Sequence, residues 1–386
     1  MIKKLIFVLF ALNTFFLNAG LAQEVNSLAR SPRALLMGDA YTAIADDEFT
    51  LFYNPAALGG NKGVSLTLLD PTLGMTDILG DLGRFKNLPK GPGAAPLIAN
   101  RILDLPVYIQ AGIFPTLKMG GFGFTLFANS KASLVLRNAT NPIFDVNYRY
   151  DRGFIFGYAY NIGNGGLSSK GKKGSKITTN PGTRLSIGIA AKHMNREGLQ
   201  NQFDLFGTTL LNKINSGATD IASLKNALGY SKGSAWGYDL GSEYVISSGH
   251  STFTSALSIL DIGATRFNKT QGIADVPKQD MMINSGVAYK QDFGLFDYTL
   301  SADIHPMNSA IDFGRKFHFG SELSLPLITF NVGWSEGYVS YGGSIKLWPV
   351  KITTGFYGVE VGSHFREQEA KRFILYVSLF DFSIDL

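Results

Sequence analysis

The chain has 386 residues, a formal net charge of +5 and no cysteine, which excludes disulfides, thiolate metal ligands and a lipid-modified N-terminal cysteine. Forty-four glycines, 29 phenylalanines and 16 tyrosines accompany only 17% charged residues, a composition typical of a large β-structure with aromatic girdles. Basic residues are dispersed except in one Gly/Ser-rich loop, so the charge does not predict nucleic-acid binding. That loop contains Lys170, Lys172, Lys173 and Lys176.

Residues 1–22 are predicted to form a signal peptide. Lys3 and Lys4 precede an apolar stretch from Leu5 to Leu17, and small residues follow up to Ala22. Polar residues interrupt the stretch, and it is shorter than the roughly 20 apolar residues that a spanning helix needs. We therefore expect the mature protein to leave the cytoplasm.

Residues 23–62 are predicted to form a compact segment ahead of the first strand. Its middle is small and apolar, Asp46 and Asp47 follow, and then comes Phe-Tyr-Asn-Pro-Ala-Ala-Leu at 52–58. Pro55 restricts Asn54 to an extended backbone, which frees the Asn54 amide to bond the turn it closes or a surrounding wall. On its own, this stretch would also suit the helix-turn-helix start of a soluble domain.

The run Gly-Asp-Ala-Tyr-Thr-Ala-Ile-Ala-Asp-Asp at 38–47, followed by Tyr-Asn-Pro-Ala-Ala-Leu at 53–58, resembles the N-terminal hatch signature of the FadL superfamily of outer-membrane barrels. That superfamily includes fatty-acid and hydrocarbon transporters and PorV-like proteins of surface-protein secretion. The match covers residues 33–58, with weaker similarity in the last third of the chain, and Asp39 departs from it where a small residue is expected. The resemblance implies a hatch in the lumen, with site residues Gly38, Asp46, Asp47, Asn54 and Pro55.

Residues 63–386 alternate large apolar residues with small or polar ones. In one stretch Trp236, Tyr238 and Leu240 alternate with Asp239 and Gly241, which suits one face toward lipid and one toward a lumen. A soluble sandwich also alternates, but so many aromatic faces would need a second sheet of matching area. No later stretch could form a spanning helix, and a closed barrel is the other structure that satisfies its backbone in lipid.

We therefore predict an all-β fold, a transmembrane antiparallel barrel of about fourteen strands with the hatch in its lumen, and sixteen strands as the other possible count. The strands are expected to begin near Val64, Leu105, Gly120, Ile143, Thr183, Ser234, Ser251, Met281, Gly294, Gly314, Leu327, Tyr338, Val350 and Lys371.

Connection lengths predict which end of the barrel faces the periplasm. Short connections are expected there, at 115–119, 247–250, 291–293, 326 and 348–349. Longer ones face outward, and those at about 71–104 and 196–233 carry helical spacing, either as a lid that captures an apolar ligand or as caps packed on each other. The long loop at 162–182 falls on the periplasmic side in this count, without an explanation.

Charged residues on the inward parity are predicted to form a network that pins the hatch, because opposite charges away from bulk water hold firmly only when paired. The candidates are Asp239, Glu243, Asp303, Glu322, Lys346, Lys351 and Arg372. We expect Asp46 and Asp47 to face the basic residues of the last strands.

No catalytic, phosphate-binding or metal-ligand motif occurs, and the five histidines are scattered singly, so we predict neither an enzyme nor a cofactor. The expected location is the outer membrane of a Gram-negative type of cell, in contact with lipid and the barrel assembly machinery. The resemblance implies uptake of hydrophobic small molecules, such as long-chain fatty acids or hydrocarbons. The alternative is a PorV-like closed barrel that assists the secretion or surface attachment of other proteins.

Overall fold

The computed structural model describes residues 24–77, 101, 103, 105–137, 143–169, 178–204 and 228–384. The predicted signal peptide and the centres of the two long outer connections lie outside these residues. Within them, no helix is long and apolar enough to cross a membrane.

The wall is a closed antiparallel barrel of fourteen strands, three of them interrupted, which confirms the predicted fold. The first seven are β1 (Val64–Leu69 and Thr72–Thr76), β2 (Val107–Ile113 and Thr116–Met119), β3 (Phe122–Arg137), β4 (Ile143–Gly163), β5 (Gly182–Asp204), β6 (Ser231–Ser247) and β7 (Ser251–Leu260 and Asn268–Gly272). The second seven are β8 (Met282–Asp292), β9 (Asp297–Ile304), β10 (Phe317–Ser324), β11 (Ile328–Ser335), β12 (Tyr338–Leu347), β13 (Val350–Glu360) and β14 (Glu369–Ile384).

Pairing of β14 with both parts of β1 closes the barrel, for example through Leu66 opposite Phe382 and Thr72 opposite Tyr376. Side chains alternate between the two faces of each strand as the sequence predicts. On β6, for example, Tyr238 is 56% exposed on the outside while Asp239 is 2% exposed on the inside. The outer face therefore forms the apolar band, and the inner face carries the polar groups.

Both β1 and β2 are interrupted, side by side. On one side of the interruption, the first part of β1 pairs with the second part of β2, ending at Thr67 opposite Thr116. On the other side, the second part of β1 pairs with the first part of β2, beginning at Thr72 opposite Gly112, and the residues between these two points are not paired. The predicted turn at 115–119 is therefore wrong: Pro115 breaks the ladder, since it has no N–H, but the chain keeps its direction through Met119. The turn into β3 is at Gly120, which has a positive φ of 55°.

The predicted bounds of the outer connections also need correction. Residues 72–76 belong to β1, residues 196–204 to β5 and residues 231–233 to β6, so all three stretches are wall rather than helical loop. The burial of side chains no longer alternates after Gly198, but cross-strand pairing with β4 continues to Asp204. Backbone pairing therefore carries the wall beyond the part in which the two faces alternate.

The loop between β4 and β5 lies at the same end as the short turns, as the strand count requires. Thr179 Oγ1 donates to the Gly249 carbonyl oxygen at 2.8 Å, so the loop rests on the turn between β6 and β7. We call this end of the barrel the short-turn end and the opposite end the loop end.

The segment from Glu24 to Asn61 folds inside the barrel. It has two short helices, α1 (Pro32–Leu36) and α2 (Thr50–Tyr53), and a 3-10 helix at Pro55–Gly60. Ser31 caps α1 by accepting a hydrogen bond from the Ala34 amide, and Pro32 suits the first turn, where an amide would lack a partner. We call residues 24–61 the hatch.

Glycines on the inward parity let the hatch approach the wall backbone. A Cβ at Gly333 would lie 2.0 Å from the Gly38 nitrogen, and one at Gly241 would lie 2.0 Å from Asn54 Oδ1. These two glycines lie on β11 and β6, so the hatch contacts strands far apart around the circumference.

Candidate functional site

An aromatic cluster joins the hatch to the wall. Phe49 and Phe52 of the hatch pack against Phe114, with ring centroids 4.7 and 5.6 Å apart. Phe52 also contacts Phe127 at 5.9 Å, and Phe49 contacts Tyr376 at 6.4 Å. All five side chains are buried. The alternation along the strands predicts a polar lumen and therefore does not reveal this cluster. The signal available in the sequence is the adjacent apolar pair Leu126 and Phe127, which breaks the alternation of β3.

The cluster lies directly behind the interruption in β1 and β2. Phe114 stands in the gap of β2 and turns its ring inward, while its amide donates to Asp70 Oδ1 at 2.6 Å. Asp70 stands in the gap of β1, is fully buried, and has no hydrogen-bond partner for its second carboxylate oxygen. A side-chain hydrogen bond thus replaces part of the missing backbone ladder at this point of the wall.

Arg33 connects the hatch to β10. Its guanidinium donates two hydrogen bonds to Glu322, at 2.5 and 2.7 Å, and a third to Asp46 at 2.5 Å. Asn331 of β11 donates to the same Glu322 carboxylate at 2.9 Å. Because the planar guanidinium and carboxylate groups meet at two points, both the orientation of Arg33 and its distance from Glu322 are fixed.

Asp303 of β9 binds the backbone of the hatch. One of its carboxylate oxygens accepts from the amides of Tyr41 and Thr42, at 2.8 and 2.7 Å. On the same strand, Ser301 donates to the Ala40 carbonyl oxygen at 2.8 Å. The small-residue run therefore lies along β9 and bonds it through main-chain groups.

Arg372 of β14 holds the start of the hatch. It donates two hydrogen bonds to Glu24, at 2.8 and 2.7 Å, and its guanidinium lies 3.6 Å from the ring centroid of Tyr108. Burial would raise the pKa of Glu24, but the charge and hydrogen bonds of Arg372 outweigh burial and lower that pKa from 4.5 to about 2. Glu24 is therefore ionised across the physiological pH range.

Asn54 bonds its own turn, the rest of the hatch and the wall together. Its Oδ1 accepts from the Ala56 amide at 3.0 Å, and its Nδ2 lies 3.3 Å from the carbonyl oxygens of both Thr42 and Ser242. The backbone of Asn54 is extended, with φ of −157° and ψ of 107°, as expected before Pro55. The Asn54 amide thus bonds both the turn it closes and the surrounding wall, the two partners that the sequence allows.

The two acids after the small-residue run have different surroundings from those expected. The Asp46 side chain is 72% exposed and pairs with Arg33 of the hatch itself, not with a basic residue of the last strands. Asp47 accepts from the hydroxyls of Ser31 and Tyr41, at 2.6 and 2.7 Å. Both carboxylates therefore organise the hatch internally. The short-turn side of the hatch is held by Lys118 of β2, which donates to the main-chain carbonyl oxygens of Asp46 and Asp47.

The other predicted charges divide into two groups. Asp239 pairs with Lys192 at 2.8 Å, and Glu243 pairs with Arg184, so these are contacts between wall strands. Lys346 is exposed, and its partner across the turn, Lys351, is half-buried, because both lie at the ends of their strands. The structure does not bring Lys346 into the hatch contacts.

Asp39 makes contacts that the sequence pattern does not predict. It has a left-handed backbone with φ of 61°, and its carboxylate accepts from Tyr53 at 2.7 Å and pairs with Arg30 at 3.4 Å. His305 Nε2 lies 3.0 Å from the Asp39 carbonyl oxygen, and the rings of His305 and His318 stack with centroids 3.7 Å apart. His318 Nδ1 lies 2.9 Å from the Gly38 carbonyl oxygen, so these two histidines, which belong to no motif in the sequence, contact the same hatch turn.

Cavities in the described part of the lumen are lined by both polar and apolar groups. Two small ones beside the hatch measure about 20 and 30 Å³. A larger vestibule of about 540 Å³ opens at the short-turn end, with charges of both signs on its lining. Among the described residues, no group of three or more His, Asp or Glu side chains could hold a metal ion.

No protein-family model and no curated protein matches the sequence. Among solved structures, the CymD monoaromatic hydrocarbon channel matches with a TM-score of 0.52 and 11% identity, over 94% of this chain and 100% of that one. The chain has the fold of this channel. The predicted resemblance to FadL-superfamily barrels is thus confirmed for the fold.

Two toluene transporters also match, with lower scores. TbuX of Ralstonia pickettii has a TM-score of 0.47 and 10% identity over 92% of this chain and 100% of its own. TodX of P. putida has a TM-score of 0.42 and 11% identity over 92% of this chain and 99% of its own.

Proposed function

We propose that this protein lies in the outer membrane and takes up small hydrophobic molecules, with the hatch as its gate. The observation that carries the proposal is the aromatic cluster of Phe49, Phe52, Phe114, Phe127 and Tyr376, which lies between the hatch and the interrupted part of the wall. The hatch also meets the wall through polar groups, glycine backbone and a second apolar cluster of Leu35, Leu36, Tyr357, Val359 and Ile374, which contains no residue of the interrupted strands. The aromatic cluster is therefore the apolar contact that lies beside the missing backbone pairs, where a hydrophobic molecule would find contacts of its own kind.

A ligand would pass the hatch by replacing ring contacts between Phe52 and the wall with contacts to itself. Such aromatic pairs contribute about 0.5–1.5 kcal/mol each beyond the area they bury, so an apolar ligand of similar size can compensate for separating one or two of them. The missing backbone pairs beside Phe114 make this part of the wall the easiest to open toward the membrane. Movement of the hatch or of this kink would then release the ligand.

The experiment is uptake of a radiolabelled aromatic hydrocarbon, and separately of a long-chain fatty acid, by cells that do or do not produce the protein. We expect Phe114→Gln to reduce uptake, because it places an unpaired amide in the apolar passage. The matched control is Phe124→Gln, on the neighbouring strand but facing outward and 40% exposed. Uptake no faster than in cells without the barrel, for either class of compound, would contradict the proposal.

The alternative is a closed scaffold that assists secreted or surface proteins. The observation in its favour is that hydrogen bonds fix the hatch to β6, β9, β10 and β14, while the two lumen cavities beside it hold at most one or two waters. Deleting the gene would then remove particular proteins from the cell surface and leave hydrocarbon uptake unchanged.

A further inference from the structure

The turns of β8 to β13 at the short-turn end are strongly apolar. Between β8 and β9 the chain reads Phe-Gly-Leu-Phe at 293–296, between β10 and β11 it reads Leu-Pro-Leu at 325–327, and between β12 and β13 it reads Trp-Pro at 348–349. Leu295 is 73% exposed and Trp348 is 74% exposed. Turns that project into water are usually polar, because their backbone and side chains are solvated there.

Other turns at the same end have the ordinary character. The turn between β2 and β3 is Gly-Gly at 120–121, and the turn between β6 and β7 is Ser-Gly-His at 248–250. The apolar turns are therefore a property of one sector of the rim, spanning β8 to β13, and not of the whole short-turn end.

The same sector has the shortest strands. β9, β10 and β11 have eight residues each, whereas β4 and β5 have 21 and 23. At a rise of about 3.4 Å per residue and a tilt of about 40°, eight residues cover about 21 Å along the membrane normal. The apolar band of an outer-membrane barrel is about 25 Å tall, so these strands alone do not span it.

The apolar turns continue the lipid-facing surface. Leu300 and Phe330 face outward within β9 and β11, and Phe293 and Leu325, on the outward parity of β8 and β10, extend that surface past the strand ends. A tightly hydrogen-bonded turn can enter the apolar layer because few of its backbone groups lack partners: Phe293 N donates to the Phe296 carbonyl oxygen, and Leu325 N donates to that of Ile328.

From these observations we infer that the turns at 293–296, 325–327 and 348–349 are immersed in the bilayer, so that lipid covers this sector of the rim while the rest of the short-turn end stands in water. The bilayer thins or the barrel tilts to reach them, as short hydrophobic spans require. The partner is thus a lipid surface. This inference rests on the membrane location proposed above.

Trp348 is a natural reporter, since the chain has three tryptophans and the other two, Trp236 and Trp334, lie on the outer face of the strands. We would place the full chain in phosphatidylcholine vesicles as three single-tryptophan proteins. The first keeps Trp348 (W236F/W334F), the second keeps Trp236 as the lipid reference (W334F/W348F), and the third carries His250→Trp in the background W236F/W334F/W348F as the water reference. Heat-modifiable migration on a gel would establish that each is folded.

Emission is then measured with lipids brominated near the top of the acyl chain and with aqueous iodide. We expect bromolipid to quench Trp348 by a factor close to that for Trp236, and iodide to quench only the tryptophan at 250. If Trp348 behaves like the tryptophan at 250 while Trp236 is lipid-quenched, the inference is overturned, and the sector becomes a candidate docking surface for a protein. If bromolipid does not quench Trp236 either, the membrane location itself fails.

Discussion

Removing the Asp303 carboxylate should release the hatch without opening the wall. In Asp303→Ala, the amides of Tyr41 and Thr42 lose a charged acceptor that they bond at 2.8 and 2.7 Å in a fully buried site. Hydrogen bonds to charged groups contribute about 1.5–3 kcal/mol each, so hatch docking weakens by about 3–6 kcal/mol. At 1.4 kcal/mol per factor of ten, the undocked population rises roughly a hundredfold to ten-thousandfold.

The assay is single-channel recording in a planar bilayer. We expect Asp303→Ala to give more frequent and larger conductance steps than the parent, with unchanged heat-modifiable migration, because the wall is held by backbone pairing that the side chain does not share. Two variants are matched controls. Asp303→Asn keeps an acceptor oxygen and should be milder, and Asp46→Ala should be milder still, since the exposed Asp46 leaves Arg33 paired with Glu322. Parent-like conductance in Asp303→Ala, with a folded barrel, would refute the assignment of this contact as a hatch anchor.

Three further predictions concern pH, parity and the chain end. The pKa of Glu24 is lowered in the folded protein, so its pair with Arg372 contributes fully above pH 4.5 and is lost as pH falls through about 2. Conductance of the parent should therefore rise between pH 5 and pH 2.5, and the rise should be smaller in Glu24→Gln. Phe330→Lys should cost roughly 2–4 kcal/mol in barrel stability, measured by denaturant unfolding, whereas Thr254→Lys, beside the vestibule, should be tolerated. Deleting residues 383–386 removes only the last two residue pairs between β14 and β1 and should have a mild effect on assembly. Deleting residues 379–386 removes every pair with the first part of β1 and should abolish assembly. Both effects are measured as the amount of folded barrel on a gel.

The wall could be predicted from the sequence because residues along each strand alternate between apolar and polar according to the face on which they lie. Tyr238 and Asp239 need only a pattern of period two to be assigned to opposite faces. Interruptions could not be predicted in this way. Pro115 suits a turn or a break within a strand equally well, and only the pairing of Thr116–Met119 with β1 and β3 decides between them.

The parity of each strand also predicts which charged residues point into the lumen. It does not predict how deep in the lumen these residues lie or which groups they pair with. Glu322 and Lys346 both lie on the inward parity, yet Glu322 bonds the hatch whereas Lys346 is exposed at the end of its strand. The partner of Arg372 is Glu24, 348 positions earlier in the chain and outside the stretch that resembles the family. Such contacts depend on how the hatch folds inside the barrel, which no single strand encodes.

Asp39 illustrates what a departure from a family pattern can mean. Its left-handed backbone strains a residue with a Cβ, and a glycine would relieve that strain. The preceding Gly38 has the same conformation for a steric reason, because a Cβ there would lie 2.5 Å from the Trp334 nitrogen. A glycine at position 39 would also lack the carboxylate that joins Arg30 to Tyr53. The cost in backbone strain is therefore offset by a carboxylate that joins Arg30 to Tyr53 at the hatch turn whose carbonyl oxygens His305 and His318 contact.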